Sequence, residues 1–154
     1  MKRCNEVVEL ARQYAGDANS NAGYYVARCY AEKGMLPEAI QQLEARRARM
    51  PWAGFGVLAG LYVRAGRRAD ALRLLDEVRA TAKHSYISPG TMAQLYIGLG
   101  DVDEAFRWLD RAYEEHDPTL ESLRLEAYWD PIRGDPRYEA VLHKLNLNTP
   151  DRGR

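Results

Sequence analysis

The run Ala93-Gln94-Leu95-Tyr96-Ile97-Gly98-Leu99-Gly100-Asp101-Val102-Asp103-Glu104-Ala105-Phe106-Arg107-Trp108-Leu109 decides the fold, because its frame occurs three times in the chain. The frame is Ala93, Tyr96, Gly100, Ala105 and Leu109. It occurs earlier as Ala59, Tyr62, Gly66, Ala71 and Leu75, and first as Ala27, Tyr30, Gly34, Ala39 and Leu43. The three glycines are 32 and then 34 residues apart. A period of this size marks a repeat array in which each unit buries its apolar face on the next. Each glycine ends one helical pattern, where a residue with positive φ is commonly needed. A second helix starts at once. Pro37 falls in a first turn, where a missing N–H costs nothing, and Asp101 with Glu104 has capping-box spacing. The unit is helix, tight turn, helix. The recurring alanines allow close helix crossing, and Tyr30, Tyr62 and Tyr96 fill the space between helices.

This pattern of small, aromatic, Gly and Ala positions resembles the tetratricopeptide repeat. The resemblance covers about Ser20 to Asp117, with Pro51 closing the first repeat and Lys83 standing where the second lacks a proline. It implies an all-α right-handed superhelix of helix pairs. The expected divisions are a half repeat over 4–16, repeats over 20–51, 52–85 and 86–117, a capping tail over 118–147 and a disordered end over 148–154. In the half repeat, Val7, Val8, Ala11 and Tyr14 fall at helical spacing, which suits a chain cut from a larger array.

The C-terminal part carries a second resemblance. Tyr86-Ile87-Ser88-Pro89, Ala112-Tyr113-Glu114-Glu115, Trp129-Asp130-Pro131-Ile132-Arg133 and Asp135-Pro136-Arg137-Tyr138, ending near Leu147, are similar to the terminal segment of bacterial tetratricopeptide modules attached to signalling proteins. That resemblance implies a regulatory context. Physically the tail is expected to cap the array, with Ser88-Pro89 starting the last repeat and Pro136 starting a helix through about Lys144.

Composition narrows the function. The 154 residues carry 22 Lys+Arg against 22 Asp+Glu, are 46% hydrophobic and contain 2 Cys. A chain of this length removes roughly 68–70% of its unfolded surface from water, enough for one core without staples. Zero net charge lacks the basic surplus of a dedicated nucleic-acid binder, so no nucleic-acid partner is expected. No apolar run reaches spanning length, so no membrane partner is expected either. Cys4 and Cys29 have no C-x-x-C or metal spacing, and the sequence is read as belonging to a reducing, cytoplasmic setting.

No catalytic residue, metal site or cofactor is expected. His84, His116 and His143 form no ligand pair. Gly54, Gly56 and Gly60 lack the strand and spacing of a dinucleotide fingerprint, and no nucleophile elbow, Walker sequence or zinc-protease helix occurs.

A protein or peptide partner remains. The resemblance places first helices on the concave face, which makes Asn21, Tyr24, Arg28, Gly56, Gly60, Val63, Gln94 and Ile97 candidate partner-binding residues, with Arg64 at the edge. Ala31, Ala53, Ile87 and Gly90 share that face. Relatives that hold a chaperone's C-terminal carboxylate use a Lys, Asn and Arg clamp on these positions. Here the family's Asn positions read Arg28, Gly60 and Gln94, so chaperone-tail recognition is not expected. Gly56 and Gly60 in one helix each cost about 1 kcal/mol relative to Ala. Either a neighbouring helix approaches closely, or a bulky ligand segment needs the space. Charge gives a second surface. Residues 46–83 hold nine basic against three acidic residues, a net of +6, and residues 101–135 hold four basic against eleven acidic, a net of −7. Such blocks suit head-to-tail homo-oligomers or an acidic partner, although basic residues on a convex face usually only solvate it.

Overall fold

A computed structural model describes residues 4–7, 9, 22–47 and 54–147. Among them six helices pair in order: α1 (Ala22–Glu32) with α2 (Leu36–Arg47), α3 (Phe55–Arg64) with α4 (Arg68–Thr81), and α5 (Pro89–Leu99) with α6 (Val102–Glu114). Two 3-10 segments, η1 (Pro118–Ser122) and η2 (Ala127–Ile132), and a last helix α7 (Pro136–Lys144) form the tail. The described residues contain no strand. The all-α superhelix of helix pairs expected from the frame is the architecture of the chain.

The frame residues do what their chemistry requires. Gly34, Gly66 and Gly100 have φ of 75°, 73° and 80°, the left-handed region in which a Cβ is penalised. Ala27, Ala59 and Ala93 on the first helices, and Ala39, Ala71 and Ala105 on the second, have no exposed surface. Tyr62 and Tyr96 are buried between layers with their hydroxyls at the rim. The Tyr62 hydroxyl donates to Glu44 at 2.6 Å, and Arg79 donates to the Tyr96 hydroxyl at 2.6 Å. Caps start the later helices. Ser88 accepts from the Thr91 amide, with Pro89 following, Asp101 accepts from the Glu104 amide, and Asp135 accepts from the Arg137 amide ahead of Pro136.

One core runs from α1 into the tail, where Leu123, Trp129 and Ile132 are completely buried. Asp117 is the latch between the last repeat and the tail. It is 5% exposed and accepts from the Gly90 amide at 2.7 Å, the Thr119 amide at 2.9 Å and the Thr119 hydroxyl at 2.8 Å. Burial would raise its pKa, but these donors, with the Ser88 hydroxyl, hold it below the ordinary carboxylate value.

The cysteines depart from the sequence reading. Cys4, in a helical stretch, lies with its Cα 5.2 Å from that of Cys29 on α1, and the two sulfurs are bonded. Spacing along the chain does not show this pair, because packing of the leading segment on α1 creates it. Disulfides persist in oxidising settings, so the expectation of a reducing one loses the support it took from the cysteine pattern. Most of the expected half repeat and the whole of the expected disordered end lie outside the described residues.

Candidate partner-binding groove

The first helices of the three repeats are spaced unevenly, and that unevenness makes the groove. Between α3 and α5 the backbones nearly touch. A Cβ on Gly56 would run into the Gln94 carbonyl, and one on Gly98 would meet the Gly60 amide nitrogen at 2.8 Å. Close helix approach therefore accounts for Gly56, one of the two reasons left open by the sequence. Gly60 differs, because its added Cβ would sit 3.5 Å from the Gly98 Cα, an ordinary contact. Between α1 and α3 no such approach occurs. Tyr24 and Arg28 stand there instead, and a cavity of about 590 Å³ opens beside them.

The cavity gathers most of the residues singled out from the frame. Tyr24, Arg28 and Ala31 line it from α1, Gly56, Gly60, Val63 and Arg64 from α3, and Gln94 and Ile97 from α5. Asn21 and Ala53 lie outside the described residues. Ile87 and Gly90 do not reach the cavity. Ile87 packs on the core, and Gly90 is covered by Thr119 and Asp117 at the start of the tail.

Sequence reasoning missed the fourth wall. Ala127, Tyr128, Asp130 and Pro131 of η2 also line the cavity, because η2 packs against α5. A 3-10 segment has no 3.6-residue apolar period to announce its inner face, although Trp129 followed by Pro131 marks a buried anchor beside a turn. Gly98 and Val57 were also missed, although Gly98 follows Gln94 by one turn on α5 and takes the frame position that Arg64 holds on α3.

The polar groups of the cavity are unevenly satisfied. The Tyr24 hydroxyl is buried and finds no hydrogen-bond partner among the described residues. Burial pushes its pKa up to about 12, the Arg28 cation opposing the shift and the Glu126 carboxylate adding to it, so it stays protonated. Burial likewise raises Tyr128. Arg64 donates to the Ala31 carbonyl at 3.2 Å, and the Arg28 guanidinium lies 5.9 Å from the centre of the Tyr24 ring. Val57, Leu61, Val63 and Ile97 supply apolar surface below them.

Several residues of the charge blocks read from the sequence pair within the chain. Arg47 pairs with Glu77, Arg67 and Arg73 with Asp70, Arg137 with Asp103 and Lys144 with Asp110. Among the described residues no group of three or more His, Cys, Asp or Glu could hold a metal ion, and no helix is long and apolar enough to cross a membrane.

Residues 62–127, from α3 into the start of η2, match the tetratricopeptide repeat family. The chain is also similar to Tetratricopeptide repeat protein 8 of Caenorhabditis elegans, with 24% identity over 156 residues covering 94% of this chain. It spans 31% of that protein's length. No solved structure matches. Such repeats are protein-interaction modules in general, and the frame and the helix pairs agree with the family match over residues 62–127.

Proposed function

We propose that the chain is a noncatalytic adapter that holds a segment of a partner protein on its concave face. The observation carrying this reading is the groove itself: an apolar floor and two arginines beside a buried tyrosine hydroxyl whose donor is unmet. Binding surfaces with this mixture use aromatic and Arg anchors to fix a partner while the apolar floor excludes water. Asn21, Tyr24, Arg28, Val63, Arg64, Gln94 and Ile97 are the proposed contacts, with Gly60 leaving room between them. Gly56 serves the face indirectly, by letting α5 close on α3.

The test is capture of proteins from source-cell lysate by the native chain and by a groove variant, Arg28→Glu with Arg64→Glu and Tyr24→Phe. Phe is chosen because Tyr24 is half-buried against the core, and Ala there would leave a void. The native chain is expected to retain a protein that the folded variant does not. Equal retention by both contradicts the reading.

A second reading is supported by the tail wall. A groove closed on a fourth side suits a small ligand, as in a regulatory or sensory module of the bacterial signalling kind that the C-terminal sequence resembles.

A further inference from the structure

Most of the cavity's unmet polar capacity is donor capacity. The Tyr24 hydroxyl is unpartnered, and the described residues place no carboxylate in ion-pair range of Arg28 or Arg64. The Arg64 contact with the Ala31 carbonyl holds its guanidinium on the face of α1 that carries Arg28 one turn earlier. Two acids also line the cavity, and a third, the half-buried Glu126, lies near enough to Tyr24 to act on its hydroxyl, but none of them pairs with Arg28 or Arg64 among the described residues. Asp130 is engaged by Arg133 at 3.1 Å, and Glu32 stands exposed at the mouth. An ionised carboxylate accepts only, so it complements a phenolic O–H and guanidinium N–H groups without leaving a donor of its own unpaired.

The rest of the site is apolar and bounded. Val63 and Ile97 form the floor, and Tyr128 closes the end that a plain helix-pair array leaves open. The volume of about 590 Å³ lies within the range of small-molecule sites, roughly 300–1,000 Å³.

We propose that this pocket binds a small amphiphilic carboxylate, its acid group held by Arg28, Arg64 and the Tyr24 hydroxyl and its apolar body lodged against Val63, Ile97 and Tyr128. The inference shares the concave face with the adapter reading but does not depend on it. A bound acid occupies the space that a partner segment needs, so ligand and partner compete.

Calorimetric titration of the purified chain with three probes at matched ionic strength tests it: 3-phenylpropionate, its neutral amide 3-phenylpropionamide, and succinate, which has the charge without the aromatic body. The acid is expected to bind about tenfold or more tightly than the amide, the worth of a charge-assisted contact, and more tightly than succinate. Arg28→Gln and Arg64→Gln, each with an unchanged circular dichroism spectrum, are expected to reduce the acid's advantage over the amide. Tyr24→Phe is expected to weaken the acid several-fold and leave the amide unaffected. Equal affinity for acid and amide, absence of binding by all three probes, or an advantage that survives in the Arg28→Gln, Arg64→Gln double variant overturns the proposal. Loss of partner capture with the acid preference intact overturns the adapter reading alone. Partner capture without acid preference overturns only this inference.

Discussion

Gly56 and Gly60 sit one turn apart in α3, and a methyl group added to each meets different surroundings. At Gly56 it overlaps the Gln94 backbone, which cannot swing aside as a side chain can. Gly56→Ala is therefore expected to cost about 1–3 kcal/mol through overpacking, lowering the melting temperature by several degrees. Gly60→Ala meets only an ordinary contact and gains helix propensity of up to about 1 kcal/mol, so it is expected to leave the melting temperature unchanged or raise it. Thermal melts of the two variants check this pair. The sequence marked both glycines as needing a reason. It did not separate them, because the separating fact is the distance to another helix. Asp117 makes a second case at this scale. Asp117→Ala leaves the Gly90 amide buried without its acceptor, a cost of about 1–3 kcal/mol at neutral pH. Because the folded carboxyl titrates below the ordinary aspartate value, the native carboxylate's contribution is present above that ordinary value and lost as pH falls through the folded pKa. The gap in melting temperature between native chain and variant is expected to be widest near pH 7 and to narrow at pH 3.

The elements were legible wherever a cap or a turn glycine announced them. Ser88 with Pro89, Asp101 with Glu104, and Pro136 begin helices where their side chains and fixed φ dictate, and α7 ends at Lys144. Less legible was the tail between them. Leu120, Leu123, Trp129 and Ile132 are buried from irregular positions, and no period of two or 3.6 connects them. Its capping role followed from the general need to hide a last apolar face, whereas its role as a groove wall did not follow from anything local. Trp129 anchors that wall, with no exposed surface and its indole N–H donating to Ser122 at 3.1 Å. Trp129→Ala is expected to cost about 3–5 kcal/mol. In a repeat array the loss stays near its site, so hydrogen exchange should speed up in η1, η2, α7 and α5 while α1 and α2 keep their protection. Uniform loss across all helices contradicts this local picture.

Over the whole molecule, the repeat frame determines where the concave face lies, and two departures from regularity determine what that face offers. Glycines let α3 and α5 approach closely, α1 stands farther from α3 with Tyr24 and Arg28 lining the space, and residues of the tail line it too. Some residues of the opposite charge blocks form ion pairs within the chain, Arg47 with Glu77 on neighbouring helices and Asp103 and Asp110 with Arg137 and Lys144 of the tail. Exposed pairs of this kind contribute little each and are screened by salt, so they are expected to add only slightly to stability. A partner seated on the concave face is within reach of photo-crosslinking. A photoreactive phenylalanine analogue is placed at Val63 in the groove, or at Leu72 on the exposed face of α4, and each folded protein is irradiated in source-cell lysate. A discrete partner adduct is expected from Val63, abolished by Arg28→Glu with Arg64→Glu, and none from Leu72. An adduct formed at Leu72 and not at Val63 would contradict it.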